Sequence, residues 1–228
     1  MSSNQKNIVI ALDGPAASGK STIAQIIAQK LNFLYIDSGA MYRAFTWKMM
    51  QNNINIDNNT ELNELINNTH LVLKKGFSIK VYVDSLDITT KIRDPEIDRN
   101  ISIVAKNDLI RKALVKLQRS YQKNYNIVMD GRDIGTIVFP KANYKFYLEA
   151  SIEVRAMRRF QELIAKGKEI TLEKIIKEMQ NRDHADFTRT IGPLKCAKDA
   201  FRIDTSELSI EQVASLVLNC IKNKGNKS

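Results

Sequence analysis

Residues 14–21 read Gly14-Pro15-Ala16-Ala17-Ser18-Gly19-Lys20-Ser21. This stretch fits the phosphate-binding pattern G-x-x-x-x-G-K-[ST] at every position. An apolar run from Ile8 to Leu12 precedes it, and the residues after it are apolar along one helical face, at Ile23, Ile26, Ile27 and Leu31. Strand, glycine-rich turn and helix in this order are the context that such a loop requires. The alternative, a glycine turn that merely begins a helix, is disfavoured by the full match.

The loop predicts binding of nucleotide phosphates. Backbone N–H groups of the loop and of the following helix would cradle the phosphate oxygens. Lys20 is expected to reach the β- and γ-phosphates, and the Ser21 hydroxyl is placed to ligate Mg²⁺. Such a loop does not separate kinases from GTPases or ATPases. A small GTPase would also carry an Asn/Thr-Lys-x-Asp segment after a strand, which we do not find.

The remaining apolar runs predict a parallel sheet. A second strand is expected at Leu34 to Ile36, directly after the first helix, which implies a parallel pair with a crossover helix. Further short strands are expected at Ile127 to Met129, Tyr144 to Leu148 and Phe201 to Ile203, each apolar as strands buried on both faces tend to be. A last helix should begin after Ser209, with a capping box to Gln212. Its predicted apolar stripe is Val213, Leu216, Val217, Cys220 and Ile221.

Residues 71–90 break this alternation. Leu71 to Leu73, Ile79 to Val83 and Ile88 to Thr90 read as three strands, separated by turns at Lys74-Lys75-Gly76 and Asp84-Ser85. The second of these runs alternates apolar and polar residues, which is typical of an antiparallel sheet with one solvated face. We therefore expect a small insertion outside the parallel core.

Composition restricts the class of protein. The 228 residues are 43% hydrophobic and 26% charged, as in ordinary globular proteins. No stretch approaches the roughly 18 consecutive apolar residues of a membrane span. Met1 to Lys6 are polar and do not read as a secretory signal, while Lys222 to Ser228 read as a frayed basic tail. Two cysteines, Cys196 and Cys220, fit free thiols in a reducing cytoplasm.

The formal net charge of +10 has two readings: a solubilising surface or a binding site for polyanions. A nucleic-acid-binding ATPase motor would use this charge. Aromatic residues make up only 7%, and the clearest arginines lie in motifs rather than along one exposed stripe. This composition disfavours the motor.

Two polar segments follow predicted strands, where open α/β sheets bind their ligands. In the segment from Asp37 to Arg43, the Asp37 carboxylate could hold a metal-bound water, Arg43 could bind a phosphate, and Tyr42 could pack on a ring. The same segment could equally be an ordinary helix start. In the segment from Asp130 to Asp133, Arg132 could pair with a phosphate while Asp133 accepts from a base or sugar. The alternative here is a polar turn with a local ion pair.

A third polar cluster, residues 182–189, ends a predicted helix. Continuing the apolar stripe of Leu172, Ile175, Ile176 and Met179 leads to Asp183 and Asp186, with Arg182 and Arg189 nearby. Because unpaired buried charge is costly, such a line indicates a wet, anion-filled cleft, to which Arg155, Arg158 and Arg159 would add. The alternative is a solvated helix end. His184 is left without a role.

Together these segments resemble the bacterial cytidylate kinase family. They run in the family's order over nearly the whole chain: Asp13 to Thr22, Asp37 to Arg43, Asp130 to Thr136, Arg182-Asp183 with Asp186 and Arg189 before Pro193-Leu194, and Asp204-Thr205-Ser206. The resemblance implies an α/β P-loop nucleoside-monophosphate kinase fold, a parallel sheet wrapped by helices with a small antiparallel β insertion and a helical lid. Residues 1–228 would form one domain, with a core of 7–65 and 95–221, an insertion of about 66–94 and a lid of about 151–192.

The resemblance also implies an activity: phosphorylation of CMP and dCMP by ATP with Mg²⁺, in pyrimidine nucleotide metabolism. We expect a cytoplasmic monomer that uses small-molecule substrates and neither nucleic acid nor membrane. A phosphotransferase for UMP, another nucleotide or a small metabolite stays open. Phe187 departs from a small or polar residue more usual in the family, which would affect lid packing, and Met41 is a modest change at an aliphatic position.

Site residues follow from the resemblance, position by position. The implied ATP site comprises Gly14, Pro15, Ala16, Ala17, Ser18, Gly19, Lys20, Ser21, Thr22 and Arg158. The implied CMP site comprises Ser38, Tyr42, Arg43, Ser102, Arg111, Arg132, Asp133, Arg182, Asp186 and Arg189, of which Ser102 and Arg111 would read the cytosine. The implied catalytic residues are Lys20, Arg132, Arg182 and Arg189. Ser21 and Asp37 would face the metal, Asp37 through water.

Overall fold

A computed structural model describes residues 7–74 and 79–225. Its main sheet has five parallel strands in the order β2-β6-β1-β7-β8. These strands are β1 (Val9–Asp13), β2 (Leu34–Asp37), β6 (Ile127–Gly131), β7 (Tyr144–Glu149) and β8 (Phe201–Asp204). Every predicted parallel strand is therefore confirmed, and the strand that precedes the phosphate loop lies at the centre of the sheet. The expectation that the first two strands pair with each other is wrong, because β6 lies between β1 and β2 and pairs with both.

Helices cover both faces of this sheet. They are α1 (Lys20–Leu31), α2 (Ser38–Gln51), α3 (Asn59–Asn68), α4 (Pro95–Val104), α5 (Asp108–Tyr121), α6 (Ile152–Ala165), α7 (Leu172–Thr188) and α8 (Ile210–Gly225), with a 3₁₀-helix at Lys91–Arg93 and a π-helix at Ile134–Val138. Successive residues of β1 point to opposite faces. Ile10 and Leu12 therefore pack with α1 and α8, whereas Val9 and Ala11 pack in the larger cluster that contains α2 and α5.

Strand β8 differs from its expected environment. It was expected to be buried on both faces, but it lies at the edge of the sheet and most of its residues are exposed. Phe201 remains 40% exposed while its ring stacks on Phe146, with the ring centroids 5.6 Å apart. An edge strand has one neighbour, so an apolar side chain there is covered on one side only.

The insertion forms the expected antiparallel sheet, with one strand displaced. Strands β3 (Leu71–Lys74), β4 (Lys80–Val83) and β5 (Leu86–Asp87) pair in this order, so the prediction of a third strand at residues 88–90 is wrong. Asp84 and Ser85 both have positive φ, of 50° and 70°, and make a two-residue hairpin turn. The returning strand therefore starts at once, at Leu86. The predicted turn residues Lys75 and Gly76 lie outside the described part of the chain.

The insertion also shares its core with the main domain. Leu71, Leu73, Val81 and Val83 are buried in the same hydrophobic cluster as Met41 of α2. Helix α2 thus packs on the insertion and on the main sheet together.

Two expectations about the C-terminal region need correction. Lys222 was assigned to a frayed tail, but α8 continues to Gly225. Leu216 was placed in the buried stripe of this helix and is 44% exposed, whereas Cys220 packs at the core edge as expected. The capping box is confirmed: the Ser209 N–H donates to Gln212 Oε1 at 2.8 Å, and the Gln212 N–H donates to Ser209 Oγ at 3.3 Å.

The remaining terminal predictions, for Met1 to Lys6 and for residues 226–228, concern segments outside the described residues. Across the ranges that the structure describes, no helix combines the length and the apolarity that crossing a membrane requires.

Candidate active site

The phosphate loop connects the end of β1 to the start of α1. Gly14 has φ 154°, and a Cβ at this position would overlap the carbonyl oxygen of Leu148 in β7. Gly19, the N-cap of α1, is left-handed with φ 86°. Glycine is needed at both positions, at the first for space and at the second for backbone conformation. The loop is therefore held against the neighbouring strand with the N-terminus of α1 directed at its interior.

Lys20 is buried beneath this loop, and its Nζ donates to the carbonyl oxygen of Pro15 at 3.0 Å. Burial, followed by the positive charge of Arg132, lowers the pKa of Lys20 to about 7. Asp130 opposes this shift, while Arg182 adds to it. Binding of an anion nearby would stabilise the charged form of a lysine held in such a cationic environment.

Asp130 is the main residue that sequence analysis left out of the predicted site. It is the penultimate residue of β6, is 3% exposed, and accepts hydrogen bonds at 2.7 Å from the Ser21 hydroxyl and from the Tyr35 hydroxyl. Asp37 of β2 is its register partner on the adjacent strand. Burial, and then the charge of Asp37, raise the pKa of Asp130 to about 6. Its position at the carboxyl end of a parallel strand was the sequence signal that could have identified it.

Ser21, Asp130 and Asp37 together form what we call the metal-facing corner. Its oxygen atoms suit a hard cation such as Mg²⁺. Ser21 supplies a hydroxyl and Asp130 and Asp37 supply carboxylates, all of them ligands that Mg²⁺ prefers. No group of three or more His, Cys, Asp or Glu side chains in the described ranges could hold a metal by itself. The protein would supply one or two oxygens, and nucleotide phosphates and water the others, as is usual for Mg²⁺ with ATP.

Asp13, another unassigned acid, ties the phosphate-loop strand to the π-helix. Its two carboxylate oxygens accept the backbone N–H groups of Ile134, at 2.8 Å, and Gly135, at 2.7 Å. Burial raises its pKa to about 7, against the opposing effect of these two hydrogen bonds. The contact fixes the segment that follows Arg132 relative to the loop.

Asp37 confirms the interpretation of its segment as a helix start. It caps α2, accepting the Ala40 N–H at 2.9 Å, and it also faces Arg93 at 3.5 Å. The Ser38 hydroxyl donates to the Asp130 carbonyl oxygen at 2.6 Å, and Arg43 pairs with Asp98 of α4 at 3.1 Å. The helix start therefore carries the polar side chains of this segment, and their predicted binding roles stay predictions.

Arg111 and Asp133 form a buried ion pair next to Tyr42 of α2. The two side chains are in direct contact and almost fully buried, so the alternative of a local ion pair within residues 130–133 is wrong. The Arg111 guanidinium lies over the ring of Tyr42, at 5.9 Å from its centroid. Arg111 Nε is buried without a hydrogen-bond partner. Ser102, predicted to act with this pair, is exposed on α4 and makes no side-chain hydrogen bond within the described residues.

The end of α7 brings the third polar cluster over the loop. Arg132 Nε donates to Asp186 at 2.8 Å, and Arg189 lies 3.6 Å from Asp186 and donates to the Gly192 carbonyl oxygen at 2.5 Å. Burial, and then the charges of Arg132 and Arg43, lower the pKa of Arg182 to about 10. The cluster is therefore enclosed, and the alternative of a solvated helix end is wrong for these residues.

Helices α6 and α7 rest on the phosphate loop. Arg155 is buried, pairs with Asp183 at 2.7 Å, and donates to the Ala16 carbonyl oxygen at 3.2 Å. Ala16 and Ala17 pack against the cluster that contains Ile175 and Met179. The predicted stripe of α7 is therefore buried against α6 and the loop, and Asp183 continues it.

The three arginines of α6 were expected to line an open cleft, but each of them contacts other groups of the protein. Arg155 is held by Asp183, and Arg159 pairs with Glu162 on the same helix at 2.8 Å. Arg158 donates to the Thr205 carbonyl oxygen at 2.6 Å, and the Thr205 hydroxyl donates to the Ser18 carbonyl oxygen at 3.2 Å. Arg158 therefore lies next to the phosphate loop, on its outer side.

Phe187 and His184 lie on the outer surface of α7. Phe187 is 48% exposed, so its expected effect on lid packing is not supported by burial. His184 is exposed as well.

The arrangement as a whole is suited to two phosphate groups that approach one another. Lys20, Arg132, Arg182 and Arg43 are near enough for their charges to perturb one another. Such a concentration of cations is stabilised by anions, and it would offset the repulsion between two anions held face to face.

Comparison with protein families gives a match over almost the whole chain. Residues 10–223 match the family model described as Cytidylate kinase.

Individual relatives agree. The chain is 46% identical over 211 residues to a cytidylate kinase of Fusobacterium nucleatum subsp. nucleatum, covering 92% of this chain and 95% of that protein. It is 44% identical over 223 residues to a cytidylate kinase of Bacillus subtilis, and the match covers 96% of this chain and 99% of that protein.

Among solved structures, a gluconokinase from Sinorhizobium meliloti aligns with a TM-score of 0.50 at 11% identity, covering 98% of this chain and 97% of the other. At this identity the likeness concerns the fold.

Proposed function

The chain belongs to the cytidylate kinase family, and from this premise we propose that it transfers the γ-phosphoryl group of ATP to CMP or dCMP, giving ADP and the corresponding diphosphate. The observation that carries the proposal is the convergence of Lys20 of the phosphate loop with Arg132 and Arg182 of the acceptor side. One cation comes from the donor loop and the others from the elements that face it. A transfer between two nucleotides requires this bridging charge.

In the proposed reaction an oxygen of the CMP phosphate attacks the γ-phosphorus of ATP. The new P–O bond forms as the bond from the γ-phosphorus to the β,γ-bridging oxygen breaks, and the electron pair leaves with ADP. The attacking oxygen is already ionised, so no general base is required. Catalysis then consists of positioning and charge compensation. Lys20, Arg132, Arg182 and Arg189 are the proposed catalytic cations.

The donor nucleotide would occupy the loop from Gly14 to Thr22. Arg158, held against the loop by Thr205 and Ser18, would contact ATP from the outer side. Mg²⁺ bound with ATP would neutralise part of the phosphate charge. Ser21 would bind the metal, Asp130 would hold the Ser21 hydroxyl in place, and Asp37 would act through water.

The acceptor would lie between α2, the Arg111–Asp133 pair and the end of α7. Arg111 and Asp133, buried together with one unpartnered guanidinium N–H, offer donor and acceptor groups suited to the edge of cytosine. Ser38, Tyr42, Arg43 and Ser102 would line the pocket. Asp186 would bind the ribose, exchanging its present partner Arg132 for sugar hydroxyls, and so free that arginine for phosphate.

We further propose that the enzyme acts as a cytoplasmic monomer in pyrimidine nucleotide metabolism. Both cysteines are free thiols, which supports a reducing compartment. The proposed site is assembled from residues of a single chain, so a second subunit is not needed to complete it.

A coupled assay of ADP formation tests the proposal. ATP and Mg²⁺ would be supplied with CMP, dCMP, UMP, AMP, GMP or TMP separately. Activity confined to CMP and dCMP is the expected result. Preference for another acceptor, or ADP release with no acceptor present, would retain the phosphate loop and overturn the assigned pocket.

A further inference from the structure

Tyr35 places a phenol hydroxyl inside the metal-facing corner. It lies in β2 and is 8% exposed, with its ring in the cluster that contains Ile10 and Ile23. Its hydroxyl donates to Asp130 Oδ1 at 2.7 Å. No role for this residue follows from the sequence motifs.

The carboxylate that Tyr35 contacts is held from two sides by neutral groups. Tyr35 binds Oδ1, and the Ser21 hydroxyl binds Oδ2, also at 2.7 Å. Since an ionised carboxylate only accepts hydrogen bonds, both hydroxyl groups must act as donors. The proton of Ser21 is therefore directed at Asp130, and the lone pairs of its oxygen are directed away from it.

The same corner carries two neighbouring carboxylates. Asp130 and its register partner Asp37 lie side by side on adjacent strands, and the hydroxyl partners of Asp130 are uncharged. Two neighbouring carboxylates in such a place are costly unless a cation is close. Lys20, and Arg93 at 3.5 Å from Asp37, supply part of the compensating charge, and a cation that arrives with the nucleotide would supply the rest.

We propose that Tyr35 is a positioning residue for the metal of the metal–ATP complex: it fixes the Asp130 carboxylate, which in turn orients the Ser21 hydroxyl toward the cation. The inference rests on the proposed use of Mg²⁺ with ATP and is independent of the identity of the acceptor. Tyr35 itself contacts neither metal nor nucleotide. Partners of this kind that orient metal ligands contribute substantially to metal affinity.

Tyr35→Phe is the direct test, because it removes one hydroxyl and keeps the packed ring. Binding of Mn²⁺ to the enzyme–ATP complex would be followed by electron paramagnetic resonance, with no acceptor present. ATP binding without metal would be measured by calorimetry in the presence of a chelator. We expect the dissociation constant of Mn²⁺ to rise about tenfold, the low end for loss of such a partner, and that of metal-free ATP to change less than about twofold.

Tyr121→Phe is the matched control. Its hydroxyl also makes a hydrogen bond within the protein, because it accepts the N–H of Leu73 at 3.0 Å. Leu73 belongs to the insertion, so this contact is separate from the metal-facing corner. This variant should change neither constant. Equal weakening of Mn²⁺ and metal-free ATP in Tyr35→Phe, or no change in either, would overturn the proposal.

A double-mutant cycle separates positioning from general loss of stability. In a Ser21→Ala background, Tyr35→Phe should have no further effect on Mn²⁺ binding, since the oriented hydroxyl is already absent. Additive effects would show that Tyr35 acts by another route. If Tyr35→Phe fails to fold, Asp130→Asn provides the second variant. It should weaken the binding of Mn²⁺ about tenfold or more and leave the binding of metal-free ATP unchanged. A Mn²⁺ affinity equal to that of the wild type would contradict the scheme. Since every measurement uses ATP alone, failure of the CMP assignment would leave these results unaffected.

Discussion

Lys20 shows how one residue can be both buried and functional. It is 7% exposed, it donates to the loop that it supports, and its charge is opposed by Arg132 and Arg182. The free protein therefore holds this lysine in an environment that only a bound polyanion makes favourable.

The first prediction concerns the charge of this side chain. Lys20→Ala should lower kcat by about a thousandfold, the low end of the range for losing a transition-state cation. Steady-state turnover with saturating ATP and CMP measures this, and circular dichroism would verify that the variant is folded. Retention of a tenth of wild-type turnover would contradict the assigned role.

The second prediction concerns protons. Burial lowers the pKa of Lys20 to about 7 in the free protein, and ATP phosphates would raise it again. Near pH 8 the free lysine is then mostly neutral, so ATP binding should take up close to one proton, and affinity should fall as pH rises above about 7. Calorimetry in two buffers of different ionisation enthalpy measures the uptake. Lys20→Arg, which stays protonated, should show none; equal uptake in both proteins would refute the assignment.

At this scale the sequence identified the residues whose spacing forms a motif. Lys20 and Ser21 follow from the loop pattern alone. Asp130 could have been identified only from its position near the end of a predicted strand. Tyr35 could not be assigned, because its importance comes from a contact between strands that lie far apart in the chain. Arg155 was identified as a cation, but its partner Asp183 was visible only once α6 and α7 were packed.

Among the elements, the segment that follows α7 is shaped by a glycine. Gly192 follows α7 with φ 58°, and a Cβ there would overlap both the Arg111 guanidinium and the Asp133 carboxylate. The proposed base-reading pair and the segment after α7 are therefore packed against each other.

The third prediction follows from this contact. Gly192→Ala should displace the Arg111–Asp133 pair and raise the KM for CMP by about tenfold, the effect of roughly 1.4 kcal/mol of lost binding. The KM for ATP should stay within about twofold. Gly167→Ala is the matched control, because Gly167 also has a left-handed φ, of 70°, but its Cβ would meet no atom within 4 Å. The same change in CMP affinity in both variants would assign the effect to backbone strain.

The fourth prediction concerns the anchor that joins α6 and α7 to the phosphate loop through Arg155. Asp183→Ala leaves Arg155 buried without its ion-pair partner, which should lower the free energy of unfolding by about 3 kcal/mol. Urea denaturation measures the change. Glu162→Ala, which removes only exposed pairs with Arg159 and Lys166, should cost less than about 1 kcal/mol. Similar losses in the two variants would argue against the anchor.

The spacing of apolar residues predicted the parallel strands and the buried stripe of α7. In both cases the buried positions recur with the period of the strand or helix itself. The same spacing misplaced β5 because the turn at Asp84 and Ser85 needs two left-handed residues that are not glycine. It also assigned Leu216 to the core, although Leu216 is 44% exposed.

Across the whole molecule, the formal net charge of +10 creates a field that favours anionic substrates. Part of that charge is concentrated in the enclosed cluster of Lys20, Arg132 and Arg182. The composition gives the net charge but not the positions of the cations, because only the fold brings these three residues together.

The fifth prediction tests this field. Raising the salt concentration from about 0.05 M to about 0.5 M shortens the screening length from more than 10 Å to a few ångströms. The KM for CMP should rise several-fold, while kcat, which depends on the enclosed cations, should change less than about twofold. Steady-state kinetics at constant free Mg²⁺ would check this. A kcat that falls as steeply as the affinity would show that the catalytic cations are open to solvent.

The central position of β1 has a consequence for the order in which the protein is made. Val9 pairs with Ile127 and Ile10 pairs with Tyr144, so the strand synthesised first receives its neighbours only after most of the chain exists. The Leu148 carbonyl oxygen that packs against Gly14 belongs to the second of those neighbours. Pairings between such distant segments are slow to form. A ribosome translating this chain therefore carries the phosphate-binding motif long before a phosphate-binding site, and nucleotide cannot assist folding until β7 has left the exit tunnel.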